Sequence, residues 1–211
     1  MKPFTFNVVL SMCLVSIVFA LSSCSNEVPL HPLKSNATIL AFGDSLTYGT
    51  GARRDKAYPA VLERITGLKV INAGIPGEIS AAGLTRLPAL LKQHQPDLII
   101  ICHGGNDILR KMNRETTRDN IQQMINLARH NNSQVVLIGV PEFGLFLKPA
   151  ALYPALAETN KLPIANEILS DILGNLALKA DRIHPNTKGY QMLAERINSL
   201  LIQSGALSAN E

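Results

Sequence analysis

Short apolar runs alternate with amphipathic stretches along most of this chain. Thr38–Phe42, Leu68–Asn72, Asp97–His103 and Gln134–Val140 are rich in Ile, Val and Leu and predict strands buried on both faces, with a weaker fifth near Leu162–Ile168. Between them the apolar positions take the helical period. Leu84, Leu87, Leu90 and Leu91 share one face, as do Ile121, Met124, Ile125 and Ala128, and then Tyr190, Leu193, Ala194, Ile197, Leu200 and Leu201. Pro88 lies inside the first of these patterns and is expected to kink or break that helix. Strands alternating with helices over short links imply βαβ units, a parallel sheet and helices on both of its faces. In such sheets a ligand site forms at the carboxyl ends of the strands, so chemistry-bearing residues are sought there.

The first stretch follows another pattern. Met1-Lys2 is a short basic start, and Phe4 to Leu21 is apolar except for Thr5, Asn7, Ser11 and Ser16. The small residues Ser22-Ser23 then lead to Cys24. This is the anatomy of a secretory signal peptide, and Leu21-Ser22-Ser23-Cys24 resembles the lipobox of bacterial lipoproteins. That resemblance implies cleavage before Cys24 and its acylation, with several chains together giving a stable anchor. An uncleaved anchor helix is the alternative, because the run is nearly long enough to span a bilayer. Residues 24–36 carry Pro29, Pro32 and no apolar period, and read as a tether to a domain over 37–211. Lipoprotein sorting, with Ser25 after Cys24, places the expected product at the outer membrane, facing the periplasm.

Composition narrows the function. The 211 residues carry a net charge of +4, with 5% aromatic residues and no Trp, and the basic residues are scattered. No nucleic-acid footprint and no stacking platform follow from that. Of three cysteines, the lipobox resemblance removes Cys13 with the signal and lipidates Cys24, so Cys102 is expected to stand alone, with no internal disulfide.

Candidate chemistry appears at the expected strand ends. The first strand runs into Gly43-Asp44-Ser45-Leu46, which places a serine at the site edge. It is not a Gly-x-Ser-x-Gly elbow, since Thr47 takes the last glycine position, and Gly-Asp-Ser alone is also ordinary turn chemistry. A nucleophilic serine needs a base and the base needs an orienting group. Asp181-Arg182-Ile183-His184 supplies both, because a carboxylate three residues before an imidazole can bond Nδ1 in a compact turn and leave Nε2 free. Pro185 disfavours helix at His184 and so places it in a loop. Developing negative charge then needs donors. Gly77, in the loop after the second strand, can present its N–H, and Asn106, in Gly104-Gly105-Asn106-Asp107 after the third, can donate its amide. Asp44 is expected to brace the serine loop, Asp107 to cap the next helix, and Cys102 to be a buried structural thiol. His31, His94 and His130 are expected to be solvated.

These four blocks, Gly-Asp-Ser-Leu at Ser45, Gly77, Gly-Gly-Asn-Asp at Asn106 and Asp181-x-x-His184, resemble those of the GDSL/SGNH hydrolases over roughly Thr38 to Leu201. The likeness is to the small bacterial branch with esterase, thioesterase I and lysophospholipase activities. It implies a flavodoxin-like three-layer α/β/α sandwich around a mostly parallel sheet of about five strands. It also implies Ser45, Asp181 and His184 as catalytic triad. The Ser45 and Gly77 N–H groups and the Asn106 side chain are implied as oxyanion hole, with no metal or cofactor; the chain is expected to be a monomer.

The substrate is read from the segment after the fourth strand. Phe143, Leu145, Phe146 and Leu147 are expected to wall an acyl pocket, or else simply to close the core. An exported esterase or lysophospholipase acting on acyl esters is the leading expectation. A carbohydrate O-deacetylase and a catalytically silent envelope-binding lipoprotein are the alternatives.

Overall fold

A computed structural model describes residues 29–142 and 147–208. Cys13, Cys24, Phe143, Leu145 and Phe146, and with them the signal peptide and most of the expected acyl wall, lie outside the described residues. The elements in chain order begin with β1 (Thr38–Gly43), α1 (Ser45–Tyr48), α2 (Tyr58–Thr66), β2 (Lys69–Gly74), α3 (Ser80–His94) and β3 (Leu98–Cys102). There follow α4 (Gly105–Leu109), α5 (Arg114–His130), β4 (Gln134–Ile138), β5 (Pro141–Glu142) and β6 (Lys148–Pro149). The chain continues through α6 (Leu152–Asn160), β7 (Ile164–Ala165), α7 (Ile168–Gly174) and α8 (Thr187–Gln203).

The central sheet has five parallel strands in the order β2-β1-β3-β4-β7. β3 is buried along its whole length and β1 along all but its first residue, which is why both read as unbroken apolar runs. Helix α2 packs with α8, and α3 packs with α5. Right-handed crossovers put these two pairs on opposite faces, giving three layers. The chain leaves β1 for β2 on one side and returns to β3 on the other, so the crevice between the carboxyl ends of β1 and β3 is the topological switch point.

Two local expectations are corrected. Helix α3 runs unbroken through Pro88, because Pro88 lies on the exposed side, where water can satisfy the Leu84 carbonyl that loses its donor. The expected tether is docked from Leu30 onward. The Leu30 N–H donates to the Ser204 carbonyl at 2.7 Å and the Leu33 N–H to the Ala206 carbonyl at 2.9 Å, while both side chains pack against the core. The Gln134 side chain clasps the His31 backbone, donating to its carbonyl at 2.9 Å and accepting its N–H at 2.6 Å. A pattern of two leucines spaced by three, among prolines, was too sparse to register as packing.

Candidate active site

Ser45 opens α1 directly beyond β1. Asp44 caps that helix, its Oδ1 accepting the Leu46 N–H at 3.0 Å, and this holds the serine at the sheet edge, half-buried. His184 lies in the loop before α8, whose N-terminus is capped by Asn186. The two residues are 139 positions apart, yet His184 Nε2 stands 3.0 Å from Ser45 Oγ. On the other side of the ring, His184 Nδ1 is 2.8 Å from Asp181 Oδ2. A carboxylate only accepts, so Nδ1 carries the proton and Nε2 is the bare nitrogen that accepts from the serine hydroxyl.

Asp181 is fixed by its own turn: Oδ1 accepts the N–H groups of Ile183 at 2.8 Å and His184 at 2.9 Å. Burial pushes its carboxyl up, but the His184 ring and those two N–H donors outweigh it and leave it below the usual value. Asp44 goes the other way. Its burial raises the carboxyl, and the nearby imidazoles, the Leu46 N–H and the Asn106 amide offset that only in part.

Asn106, in the first turn of α4, turns its amide into the crevice. Its Nδ2 donates to Asp44 Oδ2 at 3.2 Å and to the Glu78 carbonyl at 3.0 Å. Ser45, Asn106 and His184 line one pocket together with Leu109, Val140 and Ile183. Gly77 is not among those lining residues. It sits in the adjoining loop with φ +78°, its carbonyl held by Arg110 Nη2 at 2.9 Å, one residue before the Glu78 that grips Asn106.

Beneath this loop lies a buried polar cluster that reading by motif missed. Glu78 is clamped by Arg86, whose Nε and Nη2 each donate to it at 2.7 Å, and His103 Nε2 lies 3.0 Å from the same carboxylate. His103 Nδ1 accepts the Gly104 N–H at 2.9 Å, so its proton is on Nε2 and points at Glu78. Arg86 also donates to the carbonyls of Ala73 at 2.8 Å and Gly43 at 3.2 Å and lies over the Phe42 ring. The cluster thus joins the ends of β1 and β2, α3 and the loop after β3. Burial raises the Glu78 carboxyl, but its bonds from His103 and Arg86 and the guanidinium charge bring it below its ordinary value. The one signal in the sequence is an arginine next to Leu87 in an apolar helical stretch, and its acid, Glu78, lies eight residues earlier, outside α3, so no local pattern pairs the two.

Other expected roles resolve differently. Asp107 does not cap the next helix, α5, which Asn113 caps. It reaches across to α3 instead, where its carboxylate accepts the Ser80 N–H at 2.8 Å and the Ser80 hydroxyl at 2.6 Å. Cys102 is fully buried, as expected, and burial pushes its thiol well above the ordinary range. Of the expected acyl wall only Leu147 is described, half-buried beside the antiparallel pair β5 and β6. A second pocket lies next to that pair, lined by Ile108, Lys111, Met112, Thr117, Leu152 and an Arg114–Glu142 ion pair of 2.9 Å.

Comparison with known proteins agrees with this architecture. Residues 41–192 match the model of the GDSL-like Lipase/Acylhydrolase family. The chain is 34% identical over 166 residues to thioesterase 1/protease 1/lysophospholipase L1 of Escherichia coli K12, covering 75% of this chain and 80% of that protein. It is 32% identical over 188 residues to esterase TesA of Pseudomonas aeruginosa, covering 84% and 94%. A crystal structure of TesA superposes with a TM-score of 0.72 at 31% identity, over 79% of this chain and 99% of that one. A psychrotrophic esterase EstA from Pseudoalteromonas gives 0.70 at 25% identity, over 80% and 98%. With the serine and histidine blocks both inside the matched span, this chain belongs to the GDSL-like lipase/acylhydrolase family of ester-hydrolysing enzymes.

Proposed function

We propose that the protein hydrolyses acyl esters through a Ser45–His184–Asp181 triad and a covalent acyl-enzyme. Ser45 Oγ attacks the ester carbonyl while its proton passes to His184 Nε2. Asp181 holds the ring in the tautomer that can take this proton. The oxyanion is met by the N–H groups of Ser45 and Gly77 and by the Asn106 amide. His184 then gives its proton to the leaving alcohol, and a water, deprotonated by the same nitrogen, releases the acid from Ser45. The observation that supports this most is the unbroken chain from Asp181 through His184 to Ser45, with links of 2.8 and 3.0 Å.

The substrate class follows from what surrounds that chain. Leu109 in the site pocket and Met112 in its neighbour are exposed apolar side chains that suit an acyl group. Long-chain monoesters such as lysophospholipids fit this rim better than acetylated sugars, and thioesters share the same acyl chemistry. Cys24 is read as the lipidated residue of an exported, membrane-anchored protein at the periplasmic face, for which free acyl-CoA is a poor physiological substrate. The test is hydrolysis of p-nitrophenyl esters from acetate to palmitate beside Ser45→Ala. Activity lost in the variant and rising with chain length supports the reading, whereas turnover of acetate alone would favour a deacetylase.

A further inference from the structure

The docking point of Leu30 and the active site lie at opposite ends of the domain. Leu30, where the described chain docks, bonds to Ser204 directly after α8, and His31 bonds to Gln134 at the first residue of β4. Thr38, at the start of β1, is tied to Asp97 just before β3 by the Thr38 N–H to Asp97 Oδ2 bond of 2.8 Å. Gln134, Thr38 and Asp97 lie at the amino ends of β4, β1 and β3, and Ser204 follows the C-terminus of α8. Ser45 and Asn106 lie at the carboxyl ends of β1 and β3, and His184 meets Ser45 there from the loop before α8. Helix α8 measures the gap. It begins at Thr187, three residues after His184, and ends at Gln203, beside the docking point of Leu30. At 1.5 Å per residue its 17 residues span ~25 Å.

The five residues Ser25 to Pro29 separate Cys24 from Leu30. However they are arranged, they reach at most ~20 Å. For the pocket to face the bilayer that holds Cys24, the connection would have to run past the whole length of α8 and still meet the surface. It is too short to do so.

We infer that the anchored protein points its active site away from its own membrane and acts on esters presented from the compartment into which it projects, not on lipids of the host bilayer. This rests on the proposed lipidation of Cys24 and deepens the proposed substrate reading. The docked leucines make the orientation a property of the fold, since they convert what composition reads as a longer tether into a short one. Exposed Ile75, Leu109 and Met112 and the neighbouring Arg110 and Lys111 then form a rim turned toward incoming amphiphiles.

The test uses the full lipidated chain in phosphatidylethanolamine/phosphatidylglycerol vesicles. The probe is the longest-chain umbelliferyl ester that the detergent-dispersed protein cleaves, placed either in the protein's own vesicles or in separate protein-free ones. A second protein carries about thirty Gly/Ser residues inserted after Ser25, enough to let the domain turn over. A tether that cannot span its sites gives almost no effective concentration, so the native chain should cleave the same-vesicle probe at least about tenfold more slowly than the extended one. Both should cleave the separate-vesicle probe alike. Equal same-vesicle rates for the two proteins, with both bound, would overturn the orientation. Failure of the native chain to incorporate labelled fatty acid, or to float with vesicles, would overturn the lipidation and with it the orientation. Ser45→Ala reports on the esterase reading separately.

Discussion

Asn106 and Asp44 are joined by a 3.2 Å hydrogen bond from the amide Nδ2 to a fully buried carboxylate, while the other amide hydrogen goes to the Glu78 carbonyl. Both hydrogens are therefore already aimed and engaged before any ester arrives. In the proposed mechanism an oxyanion has to compete with Asp44 and the Glu78 carbonyl for this amide. On this geometry Asn106→Ala should lower kcat by about 10²–10³ with little change in KM, as expected for a donor used mainly in the transition state. Two acceptors are also left unpaired, so urea unfolding should show a loss of about 1–3 kcal/mol. An unchanged kcat would remove Asn106 from the oxyanion hole.

Gly83 and His103 make a sharper case, because helix propensity and packing predict opposite signs. Gly83 is buried in α3, where alanine is ordinarily favoured by about 1 kcal/mol. A Cβ at this position would run into the His103 ring, whose Nε2 is held 3.0 Å from Glu78. Gly83→Ala should therefore destabilise by about 1–3 kcal/mol and lower kcat by displacing the Glu78 that grips Asn106. His103→Leu, which removes the donor to Glu78, should cost a similar amount. The double variant should lose less than the sum of the two, since the residues share one cavity. Additive losses would show that the ring and the glycine do not meet.

How much of this was legible in the sequence depends on the range of the interaction. The strand at Ile39–Phe42 and the helix face at Ile121, Met124, Ile125 and Ala128 are periodic, and burial on a sheet follows directly from period. The fifth strand was visible only faintly because just Ile164 and Ala165 pair with β4. Ser45, Asn106, Asp181 and His184 were legible because each block is local and chemically unusual; the rule about strand ends placed Ser45 and Asn106, and Pro185 placed His184 in a loop before the last helix. Glu78, Arg86 and His103 form no block. Their meaning comes from three elements that meet only after folding, and a lone charge on a helix reads as solvated until its partner is found. Asp107 misled for the same reason, since a nearby helix start competes with a distant one and only the tertiary arrangement chooses Ser80.

Asp181 orients His184 rather than merely neighbouring it. Asp181→Asn keeps an oxygen for the N–H groups of Ile183 and His184, but it points amide hydrogens at Nδ1, which favours the tautomer with its proton on Nε2. That ring can no longer accept from Ser45. The expected result is a fall in kcat of up to about 10⁴ with a small change in unfolding midpoint, because the side chain is 51% exposed. Loss of activity traced to global unfolding by circular dichroism would contradict the tautomer argument.

Glu78 should set part of the acid limit of stability. Its carboxyl lies below the ordinary 4.5 in the folded chain, so the unfolded chain binds its proton first as acid is added. The linked stability is fully present above pH 4.5 and is lost as pH falls through the folded value. Asp181, also lowered, contributes with the same sign from its ordinary 3.8, though weakly because it is half exposed. Asp44 acts in the opposite sense, since burial raises it and its protonated form suits the fold. Replacing Glu78 by Gln removes one titration and leaves the other two. The variant should start less stable at neutral pH, with Arg86 deprived of its carboxylate, and its urea midpoint should fall less steeply than that of the native chain as pH drops below 4.5. Parallel slopes for the two proteins would mean that Glu78 keeps its proton equilibrium on folding, and the clamp by Arg86 and His103 would then have no energetic consequence.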